Sequence, residues 1–186
     1  MGRVIVVQFI TLDGVVEDPD GSDGTPFGGW AMRFGPQGVA GDKFRLGSIL
    51  ETGTLLFGRR TWQHFSTLWP NRDDPFSRAM NRASKAVLAG TPVALDAWSG
   101  SAAVDGGLES WLDRTVPQRD VVVIGSGSVV AELARKDAID EYRLLTFPTA
   151  VGAGRPLFDA ASPTELRLVS AEQVGPAVLS VLDPRG

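Results

Sequence analysis

The chain contains no cysteine and a single histidine, His64. The first absence removes disulfides, thiolate nucleophiles and cysteine-held metals from consideration. The second leaves a histidine-built metal centre short of ligands. No apolar run comes near the roughly 20 residues that a membrane-spanning helix needs. Arginines are interspersed with acids and form no stripe, and the formal net charge is −4. That balance offers nucleic acid no surface to neutralise its phosphates. The opening Met1-Gly2-Arg3-Val4 enters a strand-like run with no small-residue cleavage site behind it, so a cytoplasmic location is expected.

What is present is ordinary for a globular protein: 186 residues, 43% hydrophobic and 22% charged. A single domain over residues 1–186 is expected, long enough to bury a full core. Val4–Ile10 reads as a strand ending at the turn Thr11-Leu12-Asp13-Gly14, and 17–38 as a long loop carrying Trp30 and Phe34. The spacing predicts a helix over 41–52 closed by Gly53, a strand over 54–57 and a helix over 59–65. Weak helical spacing over 76–83 precedes strands at 86–89 and 93–95. A helix over 107–115, a strand over 121–124 and a helix over 128–135 follow. Tyr142–Val151 reads as a strand interrupted by Pro148, and 166–171 with 177–182 as an antiparallel hairpin. Strands thus alternate with helices until the chain closes in strands alone. That order implies an α/β sheet, mostly parallel, with an antiparallel edge.

Two segments repeat one design. Thr54-Leu55-Leu56-Phe57 runs into Gly58-Arg59-Arg60-Thr61-Trp62. Val121-Val122-Val123-Ile124 runs into Gly125-Ser126-Gly127-Ser128-Val129. Each is a buried strand passing through glycine into the first turn of a helix, where unpaired N–H groups and a positive dipole end attract phosphate. Gly58 lets a ligand approach the backbone, Thr61 offers a hydroxyl and an N–H, and Arg59 and Arg60 point to different sides of their helix. The plainer account of the arginines is a solvated surface pair. The second turn lacks the third glycine of the dinucleotide fingerprint, since Val130 stands there, and a tight strand-to-helix connection would also explain it.

Other residues admit two readings as well. Asp42, at the start of the expected helix 41–52, is either a first-turn acid or a carboxylate near a substrate. Asp13 reads as the cap of its own turn. Trp30, Phe34 and Trp69 either pack a planar ligand or belong to the aromatic core. His64 reads as a surface or half-buried residue. No serine is paired with a histidine in a hydrolytic motif.

Taken in order, several motifs resemble the dihydrofolate reductase superfamily. The nearer likeness is to the bacterial branch that shares the C-terminal reductase domain of the riboflavin-biosynthesis deaminase-reductase. The motifs are Thr11-Leu12-Asp13-Gly14, Leu55-Leu56-Phe57-Gly58-Arg59-Arg60-Thr61-Trp62, Leu68-Trp69-Pro70 and Lys85-Ala86-Val87-Leu88. Val123-Ile124-Gly125-Ser126-Gly127-Ser128, Asp140-Glu141-Tyr142-Arg143-Leu144-Leu145 and the run Phe147–Phe158 complete the set. The resemblance implies a mixed, mostly parallel central sheet of about eight strands with helices on both faces and an antiparallel C-terminal edge. It implies an NADPH-dependent oxidoreductase and a homodimer. Gly58, Arg59, Arg60 and Thr61 would hold the adenosine-side phosphates, and Leu88, Ala89 and Gly90 the adenine ribose. Ile124, Gly125, Ser126, Gly127, Ser128 and Val129 would cradle the pyrophosphate. Phe9, Gly14 and Val16 would lie beside the nicotinamide.

Asp42 precedes Gly58 by sixteen residues (58 − 42), the separation that the substrate-binding acid keeps in dihydrofolate reductases, and Thr146 would be its partner. The first loop lacks the tryptophan-containing sequence of folate enzymes, and Gly53 stands where the branch often carries an acid. The implied substrates are therefore a pterin, a folate, a ribosylaminopyrimidine or an unrelated small molecule. The alternative is a nucleotide-binding module that kept the scaffold without turnover.

Overall fold

The computed structural model describes residues 1–158 and 164–185. In chain order it contains β1 (Val4–Thr11), a 3₁₀ turn at Met32–Phe34, α1 (Pro36–Val39), α2 (Ile49–Thr52) and β2 (Thr54–Gly58). Then come α3 (Arg59–Leu68), α4 (Pro75–Arg82), β3 (Ser84–Leu88), a 3₁₀ turn at Leu95–Ala97, β4 (Ser101–Ala103) and α5 (Leu108–Thr115). The chain continues with β5 (Val121–Ile124), α6 (Gly127–Arg135), β6 (Glu141–Phe147), β7 (Arg167–Val174) and β8 (Ala177–Asp183). The eight strands form one mixed sheet in the order β4-β3-β2-β5-β1-β6-β8-β7. β2 pairs in parallel with both β3 and β5, and β3 with β4, whereas β8 pairs antiparallel with β6 and β7. The expected mostly parallel sheet with an antiparallel C-terminal edge is what forms.

The backbone divides into two compact units, Met1–Val6 with Arg45–Ile139 and Val7–Phe44 with Asp140–Gly186. In the first, β2 is buried at every position and β5 at all but Ile124, as expected of apolar runs inside a parallel sheet. Lys85 is a buried exception at 2% exposure. Its ammonium donates to the carbonyls of Asn81, Ala83 and Ser99 at 3.0, 2.7 and 2.9 Å and lies 4.4 Å from the centre of the Trp98 ring. Burial pushes its pKa down to about 8, so the charge is kept at neutral pH. The ammonium ties the end of α4 to the turn before β4.

In the second unit, Trp30 is fully buried and its indole N–H donates to the Glu17 carbonyl at 2.9 Å. The Phe147 ring meets Phe9, Trp30 and Phe34 at 5.2, 5.8 and 5.4 Å. Trp30 is thus a core residue. The loop around it is organised by Asp18, 3% exposed, whose carboxylate accepts from the Asp23 N–H and from the N–H and hydroxyl of Thr25. β7 is exposed at seven positions of eight.

Three local expectations fail. The helix expected over 41–52 exists only as the single turn α2, because Gly41, Arg45 and Gly47 take positive φ values of 78°, 55° and 52°. Helical backbone does not pass through that region. Asp42 therefore sits in a loop, not at a helix start. The strand expected at 93–95 is absent, and the small, polar Ser101–Ala103 supplies the edge strand in its place. β6 ends at Phe147, because the following Pro148 has no N–H to continue the ladder.

Candidate functional site

β2 and β5 lie side by side with Leu56 opposite Val123, so their carboxyl ends release the chain at neighbouring points. The two turns that follow are joined directly. The Gly58 N–H donates to the Ser126 hydroxyl at 2.9 Å, and the Ser126 N–H donates to the Thr61 hydroxyl at 3.2 Å. Close packing explains both glycines. A Cβ on Gly58 would stand 3.3 Å from Val129 Cγ2, and one on Gly125 would stand 3.3 Å from Thr61 Cγ2. Gly125 and Ser126 are also both left-handed, at φ 64° and 53°.

One consequence concerns the helix starts. Neither α3 nor α6 receives a side-chain cap: Gly58 has no side chain, and the Ser126 hydroxyl is committed to Gly58. The first-turn N–H groups of Arg59 and Thr61, and those of Gly127 and Ser128, have no acceptor within their own helices. Two positive helix ends of ten and nine residues thus open beside each other. This arrangement is suited to more than one phosphate group.

The expected residues divide by what they can offer. Ser128 is exposed, while Thr61, Ile124, Gly125 and Gly127 are half-buried. Val129 is buried, and its N–H is taken by the Ser126 carbonyl at 2.8 Å, so it supports Gly58 from behind. Thr61 spends its oxygen on Ser126 and keeps its hydroxyl proton to donate. Arg59 and Arg60 are exposed, and Arg59 Nη1 donates to the Thr91 hydroxyl at 2.7 Å. Leu88 lies opposite Gly58 across the β2–β3 pair, so Leu88, Ala89, Gly90 and Thr91 leave β3 next to the arginine. Trp62, 2% exposed, donates its indole N–H to the Ser101 hydroxyl at 2.9 Å and fixes the rotation of α3. His64 lies 5.7 Å from the Phe65 ring. Trp69 packs edge-on against Phe65 and Phe76 at 5.7 and 5.5 Å, the core reading. Two open clefts, of about 520 and 510 Å³, are lined by other residues, around Arg72 and around Lys85.

In the second unit, Phe9 is half-buried and stacks on Phe44 at 5.4 Å. Gly14 has φ +83° and faces open space, while Val16 is buried. Asp42 is half-buried in its loop, which is held on either side: Lys43 donates to the Gln37 carbonyl at 2.7 Å, and the Phe44 carbonyl accepts from Arg143 at 2.9 Å. Arg143 is paired with Glu141 at 2.5 Å. Thr146 is half-buried in β6 opposite Val178. Asp13 accepts from the Thr11 hydroxyl and from the N–H groups of Val151 and Gly152, which cap not its own turn alone but a segment far along the chain. Its pKa is lowered, by the Thr11 hydroxyl above all and then by the Gly152 N–H.

Reading the residues one at a time missed Thr91, Asp18 and the Ser126–Gly58 link. Thr91 carries a weak signal, a hydroxyl just past a strand that neighbours the glycine turn. The other two depend on backbone angles that residue type does not announce.

Residues 110–180 match the RibD C-terminal domain family. The chain is similar to the uncharacterized protein YwjB of Bacillus subtilis (strain 168), 26% identical over 184 residues, covering 95% of this chain and 94% of that one. A solved putative riboflavin biosynthesis protein from Shewanella sp. PV-4 has the same fold, with TM-score 0.66 and 21% identity over 97% of this chain and 98% of that one. A diaminohydroxyphosphoribosylaminopyrimidine deaminase/5-amino-6-(5-phosphoribosylamino)uracil reductase from Thermotoga maritima superposes with TM-score 0.60 and 19% identity, covering 98% of this chain. This chain spans only 56% of that protein. The resemblance to the RibD C-terminal domain thus holds over residues 110–180, and the fold is that of these solved structures.

Proposed function

We propose that the chain is a single-domain NADPH-dependent reductase of a small heterocyclic or carbonyl compound, of pterin, folate or ribosylaminopyrimidine type. One observation carries the reading: two uncapped helix starts, linked through Gly58 and Ser126, beside an arginine already oriented by Thr91. The N–H groups of α6 at Gly127 and Ser128 suit a pyrophosphate, and the start of α3 with Arg59 and Arg60 suits a ribose 2′-phosphate. A guanidinium fork discriminates a phosphate from a hydroxyl, which favours NADPH over NADH.

Bound NADPH would supply the hydride. Phe9, Gly14 and Val16 are proposed to line its nicotinamide. Gly14 leaves room because it has no side chain. The protein's part is to position, to exclude water and to hold a proton. Asp42, or a water it orders, is the proposed proton source, with Thr146 as its partner; the held backbone on either side of Asp42 gives the carboxylate a fixed origin. The cytoplasmic location and a homodimer belong to the same proposal. The two-sided exposure of β7, with Leu168 and Val169 at 58% and 55%, is what supports a second copy there.

The test is in two steps: titration with NADPH by nicotinamide fluorescence, then NADPH consumption with each candidate substrate. Binding with substrate-dependent oxidation is expected. Binding without turnover of any candidate would leave the nucleotide-binding module as the better account, and absence of binding would end both.

A further inference from the structure

The segment after β1 and the segment after β6 are laced together by backbone. The Leu12 N–H donates to the Thr149 carbonyl at 2.8 Å, the Val16 N–H to Arg155 at 3.1 Å, and the Leu157 N–H to Gly14 at 3.0 Å. The Arg155 N–H donates to the Glu17 carboxylate at 2.9 Å. Gly154, at φ +111°, presses so closely that a Cβ there would stand 2.8 Å from Val15 Cγ1 and from the Phe27 ring. Residues 14–16 are therefore held in one conformation by a strap drawn from more than a hundred positions away.

Within this lacing, a single carboxylate organises the tip. Asp13 Oδ2 accepts from Val151 and Gly152 at 3.1 and 2.7 Å, and Asp13 Oδ1 accepts from the Thr11 hydroxyl at 2.5 Å. Thr11 is 2% exposed, and its oxygen accepts in turn from the Val15 N–H at 2.9 Å. The hydroxyl can serve Val15 as acceptor while handing its one proton to the carboxylate. Hydrogen bonds from the strap on one side, and from Val15 through Thr11 on the other, thus converge on the Asp13 carboxylate.

We infer that Asp13 is a positioning residue: through Thr11 and the 149–157 strap, its carboxylate fixes residues 14–16 as a preformed seat for the nicotinamide. The inference rests on the cofactor reading given above. The bonds that hold the seat all lie within the chain, so the cofactor does not have to order a loop in order to bind.

The two ends of the cofactor separate this from a general structural role. NADPH and adenosine 2′,5′-bisphosphate, which lacks the nicotinamide, are titrated into the full chain, D13A and D13N by calorimetry. D13A is expected to lose NADPH affinity about tenfold, as when one or two hydrogen bonds to a charged group go, and to keep its affinity for the bisphosphate. D13N, whose amide oxygen still accepts from the strap, is expected to lie between D13A and the parent. Equal losses for both ligands would make Asp13 a general stabiliser and overturn the inference. Unchanged NADPH affinity in D13A would overturn it too. A parent chain that binds the bisphosphate and gains nothing from the nicotinamide overturns the seat alone, whereas one that binds neither ligand overturns the cofactor reading and the seat with it.

Discussion

The Ser126 hydroxyl accepts from the Gly58 N–H, 68 positions earlier, although Ser126 occupies the N-cap of α6. Serine at that position ordinarily caps its own helix. Here the capping group is diverted to the neighbouring turn, and the start of α6 is left open by that hydrogen bond, as the start of α3 is by the missing side chain of Gly58. The diversion requires Ser126 to hold φ 53°, a region that costs a non-glycine residue free energy.

Removing that hydroxyl should therefore cost more than a surface serine. S126A leaves the buried Gly58 N–H without an acceptor, and a loss of about 1–3 kcal/mol is expected in denaturant unfolding. T61V removes the acceptor of the Ser126 N–H. Because the two side chains share one junction, the double variant should lose clearly less than the sum of the single losses. Simple additivity would show that the junction is not a unit.

Lys85 offers a second stability test. K85M keeps most of the length and volume but leaves the carbonyls of Asn81, Ala83 and Ser99 without their shared donor. A loss of about 2–4 kcal/mol is expected by denaturant unfolding. A neutral or stabilising result would mean that the carbonyls find water, and that the ammonium is not the tie between α4 and the turn before β4.

Acid should weaken the loop around Asp18 only below pH 3.8. Burial alone would raise its pKa, but the N–H groups of Asp23, Thr25 and Gly21 and the Thr25 hydroxyl together lower it below 3.8. A carboxyl whose folded pKa is depressed binds its proton more readily when unfolded. Its contribution is therefore complete above pH 3.8 and is lost as the pH falls below that value. D18N should be less stable than the parent at neutral pH, and the gap should narrow as the pH is taken below 3.8. A gap independent of pH would contradict this account.

The sequence was most legible where one local signal decides the outcome. Val121–Ile124 is an uninterrupted apolar run, and it forms the buried parallel strand that such a run predicts. The glycine turns at Gly58 and Gly125 were visible for the same reason, because only a missing side chain explains them at those positions. Residues 41–52 misled because their apolar spacing is helical while Gly41, Arg45 and Gly47 turn the backbone left-handed. An arginine does not announce a positive φ. Ser101–Ala103 was passed over because an edge strand partly open to solvent needs no hydrophobic pattern. The strap partners of Asp13 lie 138 and 139 residues away, and no local rule reaches that far.

The central claim is that the open start of α3, with its arginines, reads a 2′-phosphate. NADPH and NADH are titrated in parallel, by nicotinamide fluorescence, into the parent chain and the R59A/R60A variant. The parent should bind NADPH more tightly, and the variant should lose NADPH affinity by about tenfold or more while NADH affinity stays within about twofold. Equal losses for the two coenzymes, or a parent that does not distinguish them, would contradict the account.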